Sequence, residues 1–202
     1  MIVVDVETTG FDPKKHSIVS IGAIDFNNPK RIFYIENKIW NGAEVFTGNK
    51  LLGDKYKPAL EINGFTKEQI TDENKPSLKE AIEKFLKWIE ECEEKVVAGN
   101  NPYFDLDFLR QSALMFDMEW PLSYHAIDLH TLTFIHYKQR ELTPGKLRGN
   151  DCFIYVGLPI ESIPHNALTG AKLEAEAFSR LIYGKNLLEE FKEYPIPEYL
   201  NK

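Results

Sequence analysis

The chain has 202 residues, 24 of them basic and 31 acidic, for a formal charge of −7, with 43% hydrophobic and 27% charged residues. That length leaves room for one sizeable core at roughly 100–200 residues per domain, and the composition excludes wholesale disorder, collagen-like repetition and a membrane bundle. A net negative charge also argues against broad polyanion binding through electrostatics alone.

The start, Met1-Ile2-Val3-Val4-Asp5, turns acidic at once and lacks the basic and long apolar stretches of a signal peptide, so export by that route is not expected. No apolar run approaches the roughly 18 residues of a membrane span. Two cysteines, Cys92 and Cys152, are too few for a disulfide framework and fit a reducing cytoplasm.

Taken in chain order, Ile2-Val3-Val4-Asp5-Val6 is β-branched and bounded by Thr8-Thr9-Gly10, which predicts a buried strand ending in a turn. Residues 18–26 and 31–36 predict a second and a third strand, and the turn at Asn27-Asn28-Pro29 makes an antiparallel meander the economical connection. From Pro76 the period changes. Leu78, Ala81, Ile82, Phe85, Leu86 and Ile89 recur at helical spacing, and Ser77 and Glu80 have capping-box spacing. Residues 95–99 predict a short strand, and residues 104–116, 127–137, 147–156 and 171–183 predict helices. A meander followed by strands alternating with helices implies an α/β fold on a mixed sheet. Residues 1–183 read as one domain, and 184–202, with Pro195 and Pro197, as a tail packed on it or extending from it.

Asp5 and Glu7 stand at i and i+2 of the first strand, so both carboxylates face the same way and converge on one point. Two adjacent acids in a dry setting repel and are pushed toward protonation unless a cation neutralises them, which a hard divalent ion with oxygen ligands does. An acidic pair at a strand end that merely meets water is the competing reading. The Thr8-Thr9-Gly10 turn adds N–H groups suited to a phosphate or sugar hydroxyl. At a second junction, Asn101-Pro102-Tyr103-Phe104-Asp105, Asp105 sits where a helix begins, although an acid there also serves as a cap. A third junction reads His165-Asn166-Ala167-Leu168-Thr169-Gly170.

These three blocks, in this order and at this spacing, resemble the DEDDh branch of the DnaQ-like 3′→5′ exonucleases across about residues 1–183. The resemblance implies an RNase H-like α/β fold, a central five-stranded mixed sheet flanked by helices. It also assigns Asp5, Glu7 and Asp105 to metal binding and His165 to the general base. Phosphodiester hydrolysis needs an activated water, neutralised phosphate charge and support for the leaving oxygen, which two divalent ions about 3.5–4 Å apart supply together. Mg²⁺ is the expected ion, with Mn²⁺ as substitute. His165, with an ordinary pKa of about 6.5, can be neutral near physiological pH and accept the proton of the water.

The family's fourth acid lies five residues after the histidine, and here that position is Gly170. An inactivating substitution, a naturally impaired homologue and a replacement ligand are three competing accounts. On a helix already running at Gly170, Glu174 lies about 40° round the same face and leans back toward it, whereas Glu176 lies about 120° away. Glu174 is the candidate substitute, against a salt-bridged or solvated helical acid. Restoring Asp at position 170 is expected to raise Mg²⁺-dependent nucleotide release.

By the same resemblance, Phe11, Ile62, Asn63 and Phe65 lie where the family grips the terminal nucleotide, with Asn101 and Phe104 beside them; a core position is the competing reading for Ile62 and Phe65, and the better one for Phe65. Lys138, Arg140, Lys146 and Arg148 form the one locally basic stretch, suited to upstream phosphates or simply a solvated loop. The expected partners are single-stranded DNA or RNA 3′ ends and no membrane, with either a homodimer or a polymerase-associated subunit as the assembly. A catalytically silent nucleic-acid-binding or protein-interaction homologue of the same fold is the alternative.

Overall fold

The computed structural model describes residues 1–49, 56–143, 147 and 149–200. β1 (Ile2–Thr8), β2 (Ile18–Asp25) and β3 (Ile32–Glu36) form the antiparallel meander. β4 (Val97–Gly99) adds parallel to β1, and β5 (Ala126–Asp128) adds parallel to β4, giving the order β3-β2-β1-β4-β5.

Alternation along β1 divides the core. Ile2, Val4 and Val6 pack with α3 (Leu78–Glu90) and α4 (Pro102–Met115), while Met1 and Val3 face α7 (Ala167–Tyr183) on the opposite side. The amphipathic stripe read from sequence is the buried face of α3: Leu78, Ala81, Ile82, Phe85 and Ile89. The Ser77–Glu80 capping box is present at its start.

All four helices predicted after α3 differ in their bounds from the sequence reading, and the strands differ by one or two residues at their ends. The predicted helix over residues 127–137 begins instead as β5 and then continues as α5 (Leu129–Gln139). Three residues carry no period of their own, and β5 exists because it pairs with β4. Asp128 makes the switch by accepting the N–H groups of His130 and Thr131 as the cap of α5. α4 starts two residues early, because Pro102 is pre-organised for the first helical position, and α7 starts at Ala167, because Asn166 caps it. The predicted helix over residues 147–156 is α6 (Gly149–Tyr155). Two short helices, α1 (Ala59–Asn63) and α2 (Lys67–Ile70), have no counterpart in the sequence reading, being too short to show a period. No helix among the described residues is long and apolar enough to cross a membrane.

The segment after Gly184 is stitched to α7. Arg180 is fully buried and pairs with Glu176 at 2.9 Å. It also donates to the carbonyls of Val156, Gly157, Phe191 and Tyr194 and to Asn186 Oδ1. The second oxygen of Glu176 accepts the N–H groups of Leu187 and Leu188. Substituting Arg180→Met strands a buried carboxylate and several carbonyls, so urea denaturation is expected to show a loss of about 3–5 kcal/mol. A loss below about 1 kcal/mol would show that the network adds little.

Candidate active site

Asp5 and Glu7 continue the face of Met1 and Val3, so the strand that buries valine below α7 delivers two carboxylates to the helix's first turns. The approach is unusually close. Asp5 pairs across the sheet with Gly22, and a β-carbon at Gly22 would overlap the backbone of Ala167 and Leu168. The inward positions of α7 that follow, Ala167, Gly170 and Ala171, are also small, and the next, Glu174, is one turn further on. A β-carbon at Gly170 would overlap Asp5 Oδ2 and lie 2.9 Å from Asp5 Cγ and 3.3 Å from Glu161 Oε1. Asp5 therefore occupies the space a side chain at 170 would need. A side chain at position 170 requires the Asp5 carboxylate to shift.

Asp105 arrives from the opposite layer, in the first turn of α4, and its Oδ1 accepts the N–H of Val6 at 2.9 Å. The pairing of β1 with β4 is confined to Ile2 and Val3, so the carboxylate ties down backbone that the sheet leaves open near the strand's end. The turn into α4 depends on Asn101 in the left-handed region (φ 61°), whose N–H is held by Asp128 Oδ1 at 3.1 Å.

The loop between α6 and α7 carries the remaining groups. His165 donates its N–H to the Ile62 carbonyl at 2.9 Å, and its Nδ1 stands 3.5 Å from Glu161 Oε2. Glu161 Oε1 is cut off from solvent without a hydrogen-bond partner, and so is Glu174 Oε2. Glu174 is 7% exposed, its unpartnered oxygen pressed toward Gly99, while the Asn100 backbone contributes a hydrogen bond to its carboxylate. Glu176 is committed to Arg180 and to the tail.

Five carboxylates thus share one region, and among the described residues no Lys or Arg forms an ion pair with any of them. Burial is the first cause of the rise in every one, and mutual repulsion adds to it in four. Asp5 is held well above the usual range by burial and then by Glu7, Asp105, Glu174 and Glu161. Glu7 is pushed up to about 8, with Glu161 and Asp105 adding to burial. Asp105 rises to about 7 despite the hydrogen bond from Val6, and Glu161 to about 7 by burial alone. Glu174 rises through burial and its proximity to Asp105. Burial pushes His165 the other way, toward the neutral imidazole. Glu7, Glu161 and His165 offer ligand atoms that all lie within 4.8 Å of one another. Hard oxygen donors in excess, two of them orphaned, suit a divalent cation better than a protein counter-charge.

A cleft of about 220 Å³ opens beside these groups. Its lining includes Asp5, Glu7, Asp105 and His165 together with Thr8, Gly10, Phe11, Ile62, Asn63, Asn101 and Phe104. Phe11 is 55% exposed and stands edge-on to Phe46 and Tyr56. Three expected substrate contacts change character. Thr9 is sealed from solvent: its N–H donates to the Ser17 carbonyl, and its hydroxyl donates to the Glu44 carbonyl and accepts the Ser17 N–H. The Gly10 N–H turns to the Thr8 hydroxyl, and Asn63 spends its amide on the Thr8 carbonyl and the Phe65 N–H. Phe65 lies outside the cleft lining, half-buried under Lys75. Arg140 is taken by the Tyr199 carbonyl, while Lys146 and Arg148 lie outside the described residues.

Sequence reasoning passed over Glu161. It stands four residues before His165 in a loop without period, and only the fold brings it to Gly170.

This sheet, with its carboxylates gathered at the end of β1 beneath a helix, defines an RNase H-like nuclease architecture. A family model for exonucleases of the RNase T type matches residues 2–178, and the chain belongs to that family. It is 27% identical over 183 residues to the PolC-type DNA polymerase III of Thermotoga maritima, a match covering 90% of this chain and 12% of that one. It is 28% identical over 186 residues to the 3′-5′ DNA exonuclease Cap18 of Escherichia coli, covering 90% of each. The nuclease domain of 3′hExo, a DEDDh family member solved with rAMP, superposes with a TM-score of 0.67 at 15% identity, covering 98% of this chain and 95% of that one. The chain thus spans about an eighth of the length of the PolC-type polymerases it matches.

Because these carboxyls hold protons more tightly folded than unfolded, their contribution to stability is full below the ordinary range near 4 and is lost as pH rises through about 7–8. In EDTA the melting temperature is expected to fall between about pH 5 and pH 8, and Asp5→Asn to flatten that fall. A wild-type curve that stays level across this interval would contradict the clustering.

Proposed function

We propose that residues 1–183 are a divalent-metal-dependent 3′→5′ exonuclease unit that removes nucleotides from single-stranded DNA or RNA ends. The observation that carries this reading is the convergence of Asp5, Glu7 and Asp105 from two different layers, with His165, on one cleft walled by aromatic and apolar side chains. Asp5, Glu7 and Asp105 would hold the ions, Mg²⁺ in the first instance. When bound, such ions neutralise the phosphate oxygens, activate the attacking water and support the leaving oxygen.

The chain's own groups do the rest. His165, kept neutral by burial, accepts the proton of the water that attacks the terminal nucleotide's phosphorus, while the bond from that phosphorus to O3′ of the penultimate nucleotide breaks and the leaving O3′ takes up a proton from solvent. Phe11 and Phe104 present ring surface to a base without reading its identity. A single strand fits this arrangement because stacking requires an unpaired base.

Cap18 is named as a DNA exonuclease, and 3′hExo was solved with rAMP, so both sugars stay within the proposal. The PolC-type match makes polymerase association the favoured partner reading, with a homodimer as the other. Free, buried Cys92 and Cys152 support a reducing compartment such as the cytoplasm. Gly170 favours one competing reading, a silent homologue that keeps the fold.

A 3′-labelled oligonucleotide separates the two. Divalent-dependent trimming is expected, with EDTA abolishing it and His165→Ala lowering kcat about 10²–10⁴-fold at unchanged melting temperature. Absence of trimming on matched DNA and RNA oligomers in Mg²⁺ and Mn²⁺ would favour the silent homologue.

A further inference from the structure

We propose that Glu161, from the loop ahead of His165, is the fourth acidic ligand of this site and stands in for the side chain absent at Gly170. The inference rests on the metal-site reading above and extends it to a residue outside the three sequence blocks.

Gly170 leaves a gap at the inner face of α7, and two carboxylates border it: that of Asp5, which enters the volume of the missing β-carbon, and that of Glu161, whose Oε1 is 3.3 Å from it. The Oε1 atom is solvent-inaccessible and has no partner in the protein. Such an atom costs free energy unless something else satisfies it. The other oxygen of Glu161 is 3.5 Å from His165 Nδ1, and Glu7 completes a trio of ligand atoms within 4.8 Å of one another. Glu161 thus reaches from beside Gly170 to the histidine and to Glu7. A second orphan points the same way: Glu174, 7% exposed, leaves Oε2 unpartnered on the inner side of the cluster.

Between the two, geometry selects Glu161. Glu174 lodges against the end of β4, at Gly99 and Asn100, whereas Glu161 borders both Gly170 and His165. An Asp at position 170 would crowd Asp5 and add a sixth carboxylate, so the loop acid and the helix acid are alternatives and not partners.

The test is Mn²⁺ titration of the full chain, followed by electron paramagnetic resonance and by the melting-temperature increment that Mn²⁺ produces. Glu161→Gln is expected to weaken Mn²⁺ binding ~10-fold or more, by analogy with the 10–100-fold effects of removing metal-site contacts, without lowering the melting temperature in EDTA. The double variant E161Q/G170D is expected to regain affinity, and G170D alone to gain none. Glu161→Ala serves if the glutamine variant does not fold. Wild-type Mn²⁺ affinity in E161Q, with D5N impaired, would overturn the assignment and leave the site reading intact. The same holds if E174Q is impaired and E161Q is not. Wild-type affinity in D5N as well would overturn the site reading itself.

Discussion

The constraint on which the site depends is the burial of five carboxylates in one region, with repulsion adding to it in four and, among the described residues, no Lys or Arg paired with any of them. Apart from Asp105, which accepts the Val6 N–H, and Glu174, which one backbone hydrogen bond supports, the fold does little to relieve it. The contrast with Glu176 lies in the same helix. Glu176 is at least as buried as Glu174 but is matched by Arg180 and two backbone N–H groups, and it fastens the C-terminal segment. One buried acid of α7 is neutralised within the protein and serves stability, while the other, two residues away, leaves Oε2 without a hydrogen-bond partner. Uncompensated burial of this kind is a cost that a protein retains where function uses it.

The scaffold concentrates that cost through backbone proximity. Gly22 on β2 lets the first turn of α7 rest on the sheet beside Asp5, and Ala167, Gly170 and Ala171 keep the helix's inner face thin. Larger residues at these positions would lift α7 and pull His165 and the Glu161 loop away from β1. The parallel edge works from the other side, since the short β1–β4 pairing leaves the Val6 N–H for Asp105. Asn101 and Asp128 set the turn from which Asp105 projects. Position at the site is thus a property of strand lengths and small residues as much as of the acids themselves.

Much of this was legible in the sequence, for identifiable reasons. The i, i+2 placement of Asp5 and Glu7 follows from strand alternation, the α3 face from its 3.6-residue period, and the relation of Gly170 to Glu174 from helix geometry. What was not legible had no period to read. β5 is three residues long and is defined by its partner, α1 and α2 are single turns, and Glu161 lies in an irregular loop. Within the Thr8-Thr9-Gly10 turn, Thr8 and Gly10 line the cleft, whereas Thr9 looks equally available in the sequence and is spent on Ser17 and Glu44. Small polar residues serve backbone satisfaction and ligand binding with the same atoms, and composition does not distinguish the two.

The net charge of −7 therefore has to be read locally. A uniformly acidic surface would repel a nucleic acid, but part of this charge is withdrawn into a cleft where burial raises the carboxyls above their ordinary range, Glu7 to about 8 and Glu161 to about 7. The formal count therefore overstates the negative field at that cleft, because raised carboxyls carry less charge near neutral pH, and the proposed ions would lower it further. At Gly170 the same logic runs in reverse. The absent acid lowers the repulsion that Asp5 would meet on α7, and that relief is what allows Asp5 and Glu161 to approach the same point. On the proposed reading, a glycine on the helix and an acid on the loop are two sides of one electrostatic balance.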